Sequence, residues 1–188
     1  MKCIILTGTP GTGKTTVAQI LAQKIQAQHI NLGEFAKTHD VKMIPDPERD
    51  TMIVDEEDLL NKIIELIKNS KEPIIIDSHW GDVIPAEYVD FAIVLRTHPD
   101  TLMQRLKQRH WSEKKIRENV QAEILAVCLV DAINAYGENK VYEIDTTTKS
   151  IEHTVEELIE IMKHPPISKR RIDWMIQLER EGILDSYF

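Results

Sequence analysis

The chain has 188 residues, 42% hydrophobic and 29% charged, which suits one soluble domain with a sizeable core and excludes a disordered segment. Its formal charge of −8 argues against a general nucleic-acid binder, and no sequence-specific nucleic-acid contact is expected. Two cysteines, Cys3 and Cys128, are too few for a disulfide framework or a zinc site, and both read as small buried hydrophobes.

No apolar run is long enough to cross a membrane. The N-terminus enters a strand without a signal-peptide pattern, so a cytoplasmic location is expected. That first strand, about 2–6, holds Cys3-Ile4-Ile5-Leu6. Gly8-Thr9-Pro10-Gly11-Thr12-Gly13-Lys14-Thr15-Thr16 follows and fits the phosphate-binding pattern G-x-x-x-x-G-K-[ST] at every position. A helix over about 14–27 then places Val17, Ile20, Leu21 and Ile25 on one face. Strand, glycine-rich turn and helix thus stand in the order a phosphate cradle needs. Glycines let several N–H groups converge on one anion, and the helix N-terminus adds partial positive charge. Lys14, expected in a solvent-facing loop, can reach the outer phosphates, and the Thr15 hydroxyl can hold Mg²⁺. A weak strand over 28–32 leads into residues 33–54, which hold a short helical piece and Pro45-Asp46-Pro47. This segment reads as an excursion over the sheet edge.

An acidic cluster, Asp46, Glu48, Asp50, Asp55, Glu56, Glu57 and Asp58, precedes a helix over about 56–69. Such a run is either a solvated face or a surface for a basic protein partner. Ile74-Ile75-Ile76-Asp77 ends a strand over 73–76 in a carboxylate. With a phosphate loop upstream, Asp77 reads as a holder of Mg²⁺, the alternative being a turn cap. Two roles are open to His79: orienting an attacking water or acceptor, or packing the turn. A strand over 91–95 ends at Arg96, a lesser candidate for phosphate contact. A helix over 99–109 carries Arg105 and Arg109, four apart and so on one face. The pair either closes over phosphates or lies on the surface.

A helix over 113–136, a strand over 140–144 and a helix over 151–163 complete the alternation, which indicates a parallel sheet with helices on both faces. After Pro165-Pro166, Ile172, Met175, Ile176 and Ile183 suggest one more amphipathic helix, beside the basic run Lys169-Arg170-Arg171. Asn139-Lys140-Val141-Tyr142 lacks the Asp of a guanine motif, and Trp80 occupies the place of a switch glycine. These absences point to a nucleotide kinase or an ATPase, with a nucleotide-binding module without turnover as a weaker reading that the full loop with Lys14, Thr15 and Asp77 argues against.

The phosphate loop is accompanied by Asn31-Leu32-Gly33-Glu34, Asp77-Ser78-His79, Val94-Leu95-Arg96-Thr97, Arg105-Leu106, Arg109 and Glu118-Asn119-Val120-Gln121-Ala122-Glu123-Ile124. Together, over about residues 3–149, these resemble the archaeal and nuclear adenylate kinase family, called adenylate kinase isoenzyme 6 in eukaryotes. The resemblance implies an α/β fold of the P-loop NTPase class, with an adenylate-kinase-like parallel five-stranded sheet flanked by helices. It implies a kinase domain over 1–164, a monophosphate-binding arm at about 30–53 and a lid at about 103–113, followed by a helical tail over 165–188.

On the same ground Gly11, Gly13, Lys14, Thr15 and Thr16 would bind ATP, with Arg109 as the lid arginine and Lys149 near the adenine. Thr15 and Asp77 would hold Mg²⁺, and Asp77 with His79 would handle metal and water in ATP hydrolysis. The implied activity is transfer of the terminal phosphate of ATP to nucleoside monophosphates such as AMP, with ATPase activity. The implied partner is a basic platform protein of the small ribosomal subunit, met transiently during late maturation of the subunit and its rRNA. A dedicated ribosome-assembly ATPase with incidental kinase activity is the alternative. Two departures stand out. Lys37 replaces an arginine common in monophosphate kinases, and Trp80 replaces a smaller residue.

Overall fold

The computed structural model describes residues 3–46, 51–80, 82–169 and 171–188. Strand β1 (Cys3–Thr7) is buried at every position, as a strand covered on both faces must be. Helix α1 (Lys14–Ile25) turns Val17, Ala18, Leu21 and Ala22 to the sheet. Strand β2 (Gln28–Asn31) ends in a residue that caps helix α2 (Leu32–Thr38): Asn31 Oδ1 accepts from Glu34 N at 3.1 Å. Strands β3 (Met43–Asp46) and β4 (Thr51–Val54) pair antiparallel, so the excursion read over 33–54 contains a hairpin that alternating hydrophobicity did not reveal. Pro45 is tolerated because each strand of a two-stranded ribbon is an edge.

Helix α3 (Glu56–Asn69) explains part of the acidic cluster. Asp55 is its N-cap, and Glu56, Glu57 and Asp58 fill its first turn, where the helix dipole favours negative charge. Glu48, Asp50 and Pro47 lie outside the described residues, as does Arg170 of the basic run. Strand β5 (Ile74–Asp77) and strand β6 (Phe91–Arg96) flank β1. Helix α4 (Pro99–Lys107) is followed by α5 (Glu113–Ile124) and α6 (Val127–Tyr136), where one helix over 113–136 was expected. The break is at Ala126, in left-handed conformation at φ 55°. Leu125-Ala126-Val127 contains neither glycine nor proline, so the sequence holds no punctuation there. Strand β7 (Val141–Asp145), α7 (Ile151–Lys163) and α8 (Trp174–Glu181) complete the chain.

The main sheet is parallel, in the order β2-β5-β1-β6-β7. Alternate residues of β1 serve opposite faces. Cys3 and Ile5 pack with Leu59 and Ile63 of α3 and Leu129 of α6. Ile4 and Leu6 pack with Leu21 of α1 and Leu158 of α7. A third cluster joins Leu102 and Leu106 of α4, Ile116 and Val120 of α5, and Leu178 of α8. The tail helix differs from its expected face. Met175, Ile176 and Ile183 are 41%, 46% and 37% exposed, while Trp174 and Leu178 are buried. Asp173 sets this phase by capping at Ile176 N, 3.0 Å, and the larger indole takes the inner position.

Neighbouring strands align their carboxyl ends: Asn31 lies opposite Asp77, Leu6 opposite Asp77, and Arg96 opposite Asp145. From β1 the chain passes outward to the edge strand β2, and from β5 it crosses β1 to β6 on the other side; this switch of direction opens a crevice at the carboxyl edge. Among the described residues, no helix is long and apolar enough to cross a membrane. Ile93→Ala, at a fully buried site of β6, should cost about 2–5 kcal/mol in urea unfolding. Ile44→Ala, 67% exposed in the hairpin, should stay within about 0.5 kcal/mol.

Candidate active site

The loop after β1 is shaped by contacts that only glycine permits. Gly8 has φ +139°, and a Cβ there would lie 2.4 Å from the Leu95 carbonyl oxygen of β6. Gly11 has φ +99°, and its Cβ would meet Leu102 at 2.8 Å and Leu106 at 3.0 Å, both on α4. The loop therefore lies against β6 and α4, and its free edge faces the crevice.

Helix α1 begins without a side-chain cap and without an acidic residue in its first turn. Helices α2, α3, α4, α5, α7 and α8 all have their first turns capped by a side chain. The first N–H groups of α1 lack intrahelical partners, so they and the helix dipole are available to an anion. Lys14 is the first residue of α1 and is 9% exposed, which corrects the solvent-facing placement expected for it. Its ammonium donates to Gly8 O at 2.6 Å and Thr9 O at 3.2 Å. Burial pushes its pKa below the ordinary lysine value and Arg109 adds to this, against the opposing pull of Asp77 and Glu123.

Asp77 ends β5 and is 1% exposed. It accepts from Asn31 Nδ2 at 2.9 Å, and His29 Nε2 lies 3.7 Å from the same oxygen. Burial pushes the carboxyl up, but His29, Thr15, Asn31 and the Lys14 ammonium together outweigh it and hold the group below the ordinary aspartate range. Asp77 is therefore an ionised oxygen donor at neutral pH. A carboxylate beside the Thr15 hydroxyl is a hard oxygen set that fits Mg²⁺. Among the described residues, no three His, Cys, Asp or Glu gather as a metal cluster, so such an ion would complete its shell with phosphate oxygens and water.

A cleft of about 360 Å³ brings Gly11, Gly13, Lys14, Thr15 and Thr16 together with Asp77, His79 and Arg109. Asn31, Trp80 and Trp111 also line it. His79 is exposed at the mouth, its ring tilted on Trp80 with centroids 4.8 Å apart. Partial burial and the Lys14 charge lower its pKa, against the pull of Asp77, so the imidazole is neutral at pH 7. Arg109 lies in the turn past the end of α4, where His110 adopts φ 57°. Its guanidinium stands 5.8 Å from the Trp111 ring centre.

Three expected contacts fall elsewhere. Arg96 is 1% exposed and bonded to Glu123 and Glu143, each at 2.8 Å, so it is a structural ion-pair member and not a phosphate ligand. Arg105 does not share a cleft-facing surface with Arg109. It braces the loop from behind, donating to Thr146 O at 2.9 Å and Gly11 O at 3.4 Å. Lys149 pairs with Glu157 and does not line the cleft. Cys3 is buried as expected, whereas Cys128 is half-buried, its Sγ 3.7 Å from the His79 carbonyl. The sequence reading missed His29, Asn31's grip on Asp77, and Trp111. The signal for the first two was the run of polar residues on edge strand β2, whose register places Asn31 opposite Asp77. A larger cavity of about 690 Å³ lies between Asp145 and α8, but no loop residue lines it.

A parallel sheet with this glycine loop, its lysine and its strand-end carboxylate defines a P-loop nucleotide-binding protein with a kinase-like fold. The family model described as "AAA domain" matches residues 4–126. A protein of Methanocaldococcus jannaschii named "Putative adenylate kinase" is 38% identical over 171 residues, covering 91% of this chain and 92% of the relative. The Caenorhabditis elegans "Adenylate kinase isoenzyme 6 homolog" is 33% identical, covering 84% of this chain and 87% of the relative. Shikimate kinase from Bacteroides thetaiotaomicron shares the fold, with a TM-score of 0.52 at 19% identity over 86% of this chain and 98% of its own. The chain belongs to the family of archaeal adenylate kinases and adenylate kinase isoenzyme 6.

Gly8→Ala should abolish nucleotide binding in calorimetry and lower Tm, because β6 backbone cannot retreat from the new methyl. The Asp77 network has a defined pH signature. Its carboxyl is depressed in the folded state, so its stabilisation is full above the unfolded value of about 3.9 and is lost as pH falls through the folded value. Urea midpoints measured against pH should therefore fall below about pH 4, and Asp77→Asn should flatten that limb.

Proposed function

We infer that the chain transfers the terminal phosphoryl group of ATP to a nucleoside monophosphate. The observation that carries this is the uncapped, acid-free start of α1, with Lys14 inside the loop and ionised Asp77 in the same cleft. The family supports it, since its members named above carry the name adenylate kinase. Such transfer needs little covalent help from the protein; positioning and charge neutralisation suffice. Lys14 would leave two neutral carbonyls for the outer phosphates, a better match for an ammonium. Arg109, beyond the helix end, lines the same cleft and would meet the phosphates there. Thr15 and Asp77 would hold Mg²⁺, which when bound spreads the negative charge of the phosphates.

The arm, about 30–53, and the lid, about 103–113, remain part of this proposal. Lys37 there would act as a point charge toward the monophosphate. The reading places the protein in the cytoplasm.

A second activity, ATP hydrolysis, is favoured by one observation. A neutral His79 stands at the cleft mouth, where it can accept a proton from water. On this reading the protein serves as an assembly ATPase in small-subunit maturation, with a basic ribosomal protein as partner. The net charge of −8 and the family resemblance support it.

Lys14→Ala should remove both transfer and hydrolysis, assayed as ADP formation with and without AMP. Turnover near wild type would refute the loop assignment. His79→Ala should depress hydrolysis strongly and transfer much less, because a monophosphate brings its own aligned nucleophile whereas water must be oriented. An unchanged ratio of the two rates, with a lowered Tm, would assign His79 to packing alone.

A further inference from the structure

Glu123, near the end of α5, is 2% exposed and accepts on both oxygens. Oε1 takes Arg96 Nε at 2.8 Å, Thr97 N at 3.1 Å and Trp174 Nε1 at 3.1 Å. Oε2 takes the Thr9 hydroxyl at 2.6 Å. Three of the four donors converge on Oε1, while Oε2 has the Thr9 hydroxyl, so both oxygens of Glu123 are held in place. Thr9 is the second residue of the phosphate loop and is 2% exposed. Its carbonyl accepts from Thr12 Oγ1 at 2.9 Å and from the Lys14 ammonium at 3.2 Å. A continuous hydrogen-bonded path thus runs from an indole in the C-terminal segment, through one carboxylate, to the loop lysine.

The segment is held in the pose this path requires. Arg96 Nη1 donates to Ile172 O at 3.3 Å, Ile172 N donates to Glu143 at 3.4 Å, and Arg171 reaches Glu143 at 3.3 Å. The Trp174 ring meets His98 edge-on, with centroids 5.3 Å apart. Packing alone would need only the apolar contacts of Leu178 and Tyr187 with α4 and α5. The indole N–H goes further and takes an acceptor site on the same carboxylate that grips the loop.

We propose that Glu123 and Trp174 are positioning residues for the phosphate loop, so that the C-terminal segment, through Glu123 and Thr9, sets the pose in which the loop receives phosphate. The functional consequence rests on the nucleotide reading above; the linkage itself does not. Removing the indole donor lets the Glu123 carboxylate reorient toward its remaining donors. Thr9 then loses its fixed acceptor, and the loop amides open more often.

Trp174→Phe removes the N–H and keeps a ring, Thr9→Val removes the hydroxyl and keeps the shape, and the double variant combines them. Tyr187→Phe is the control. It breaks a tail bond to Asp100, 2.6 Å, that does not involve Glu123. Amide hydrogen exchange over residues 8–15 is read without nucleotide, and ATP affinity and transfer to AMP are read separately. Trp174→Phe should speed loop exchange and weaken ATP binding by about 3- to 10-fold, the size of effect carried by a coupled network. Tyr187→Phe should lower Tm without either change. The two loop-path changes should be non-additive in ATP affinity. If Trp174→Phe does not fold, Thr9→Val should speed exchange over residues 171–176, since coupling is reciprocal.

Unchanged loop exchange and ATP affinity in Trp174→Phe, or full additivity with Thr9→Val, overturns the proposal. A wild-type protein that binds no ATP, yet shows the exchange response, overturns the nucleotide reading and leaves the linkage standing.

Discussion

The buried guanidinium of Arg96 is the interaction around which the rest of this molecule is arranged. It is 1% exposed, at the end of a central strand, and it meets Glu123 of α5 and Glu143 of the edge strand. A charge in such a place persists only when its partners are themselves satisfied. Here Glu143 is shared with Arg171, so two guanidiniums face two carboxylates. The cluster fixes five parts of the chain against one another: β6, α5, β7, the phosphate loop through Thr9, and the C-terminal segment through Ile172 and Trp174. Removing one member would leave an opposite charge stranded, at a cost of about 3–5 kcal/mol. Glu143 lies opposite Val94, two residues before Arg96 and so on the same face of the sheet, which lets the two side chains meet.

The cleft works by a different economy of charge. Its phosphate-facing wall is mostly backbone: N–H groups at the start of α1 and a loop held by glycine contacts. Side chains enter as isolated charges with set partners. Lys14 rests on carbonyls, Asp77 is gripped by Asn31, and Arg109 is displayed from a turn beside Trp111. Fixed dipoles need no reorganisation when charge arrives, and this suits phosphoryl transfer.

Much of this was legible in the amino-acid order. The loop motif located β1 and α1, and Ile74-Ile75-Ile76-Asp77 gave both a central strand and its carboxylate. What escaped was set by distance in sequence. Arg96 looked like a phosphate ligand because its partners lie 27 and 47 positions away, on elements whose packing no local pattern records. The hydrophobic stripe favours Met175 and Ile176 over Trp174, since it counts apolar residues but cannot weigh an indole with a distant acceptor. The break at Ala126 and the hairpin before α3 lacked turn residues or alternation strong enough to show. Lys149 was placed by resemblance, and in the fold it answers to Glu157 of the following helix.

The missing cap on α1 has a consequence for how long the protein survives. Among the described residues, every other α-helix start but that of α6 is closed by a side chain, so the start of α1 is a local weakness that the fold tolerates. An occupant carrying phosphate oxygens would close it and give the Lys14 ammonium a counter-charge. Occupancy then adds to global stability by mass action, about 2.7 kcal/mol at a hundred times the dissociation constant. Nucleotide supply would then enter the chain's half-life: when it ran short, the unoccupied form would be the one to open to proteolysis first.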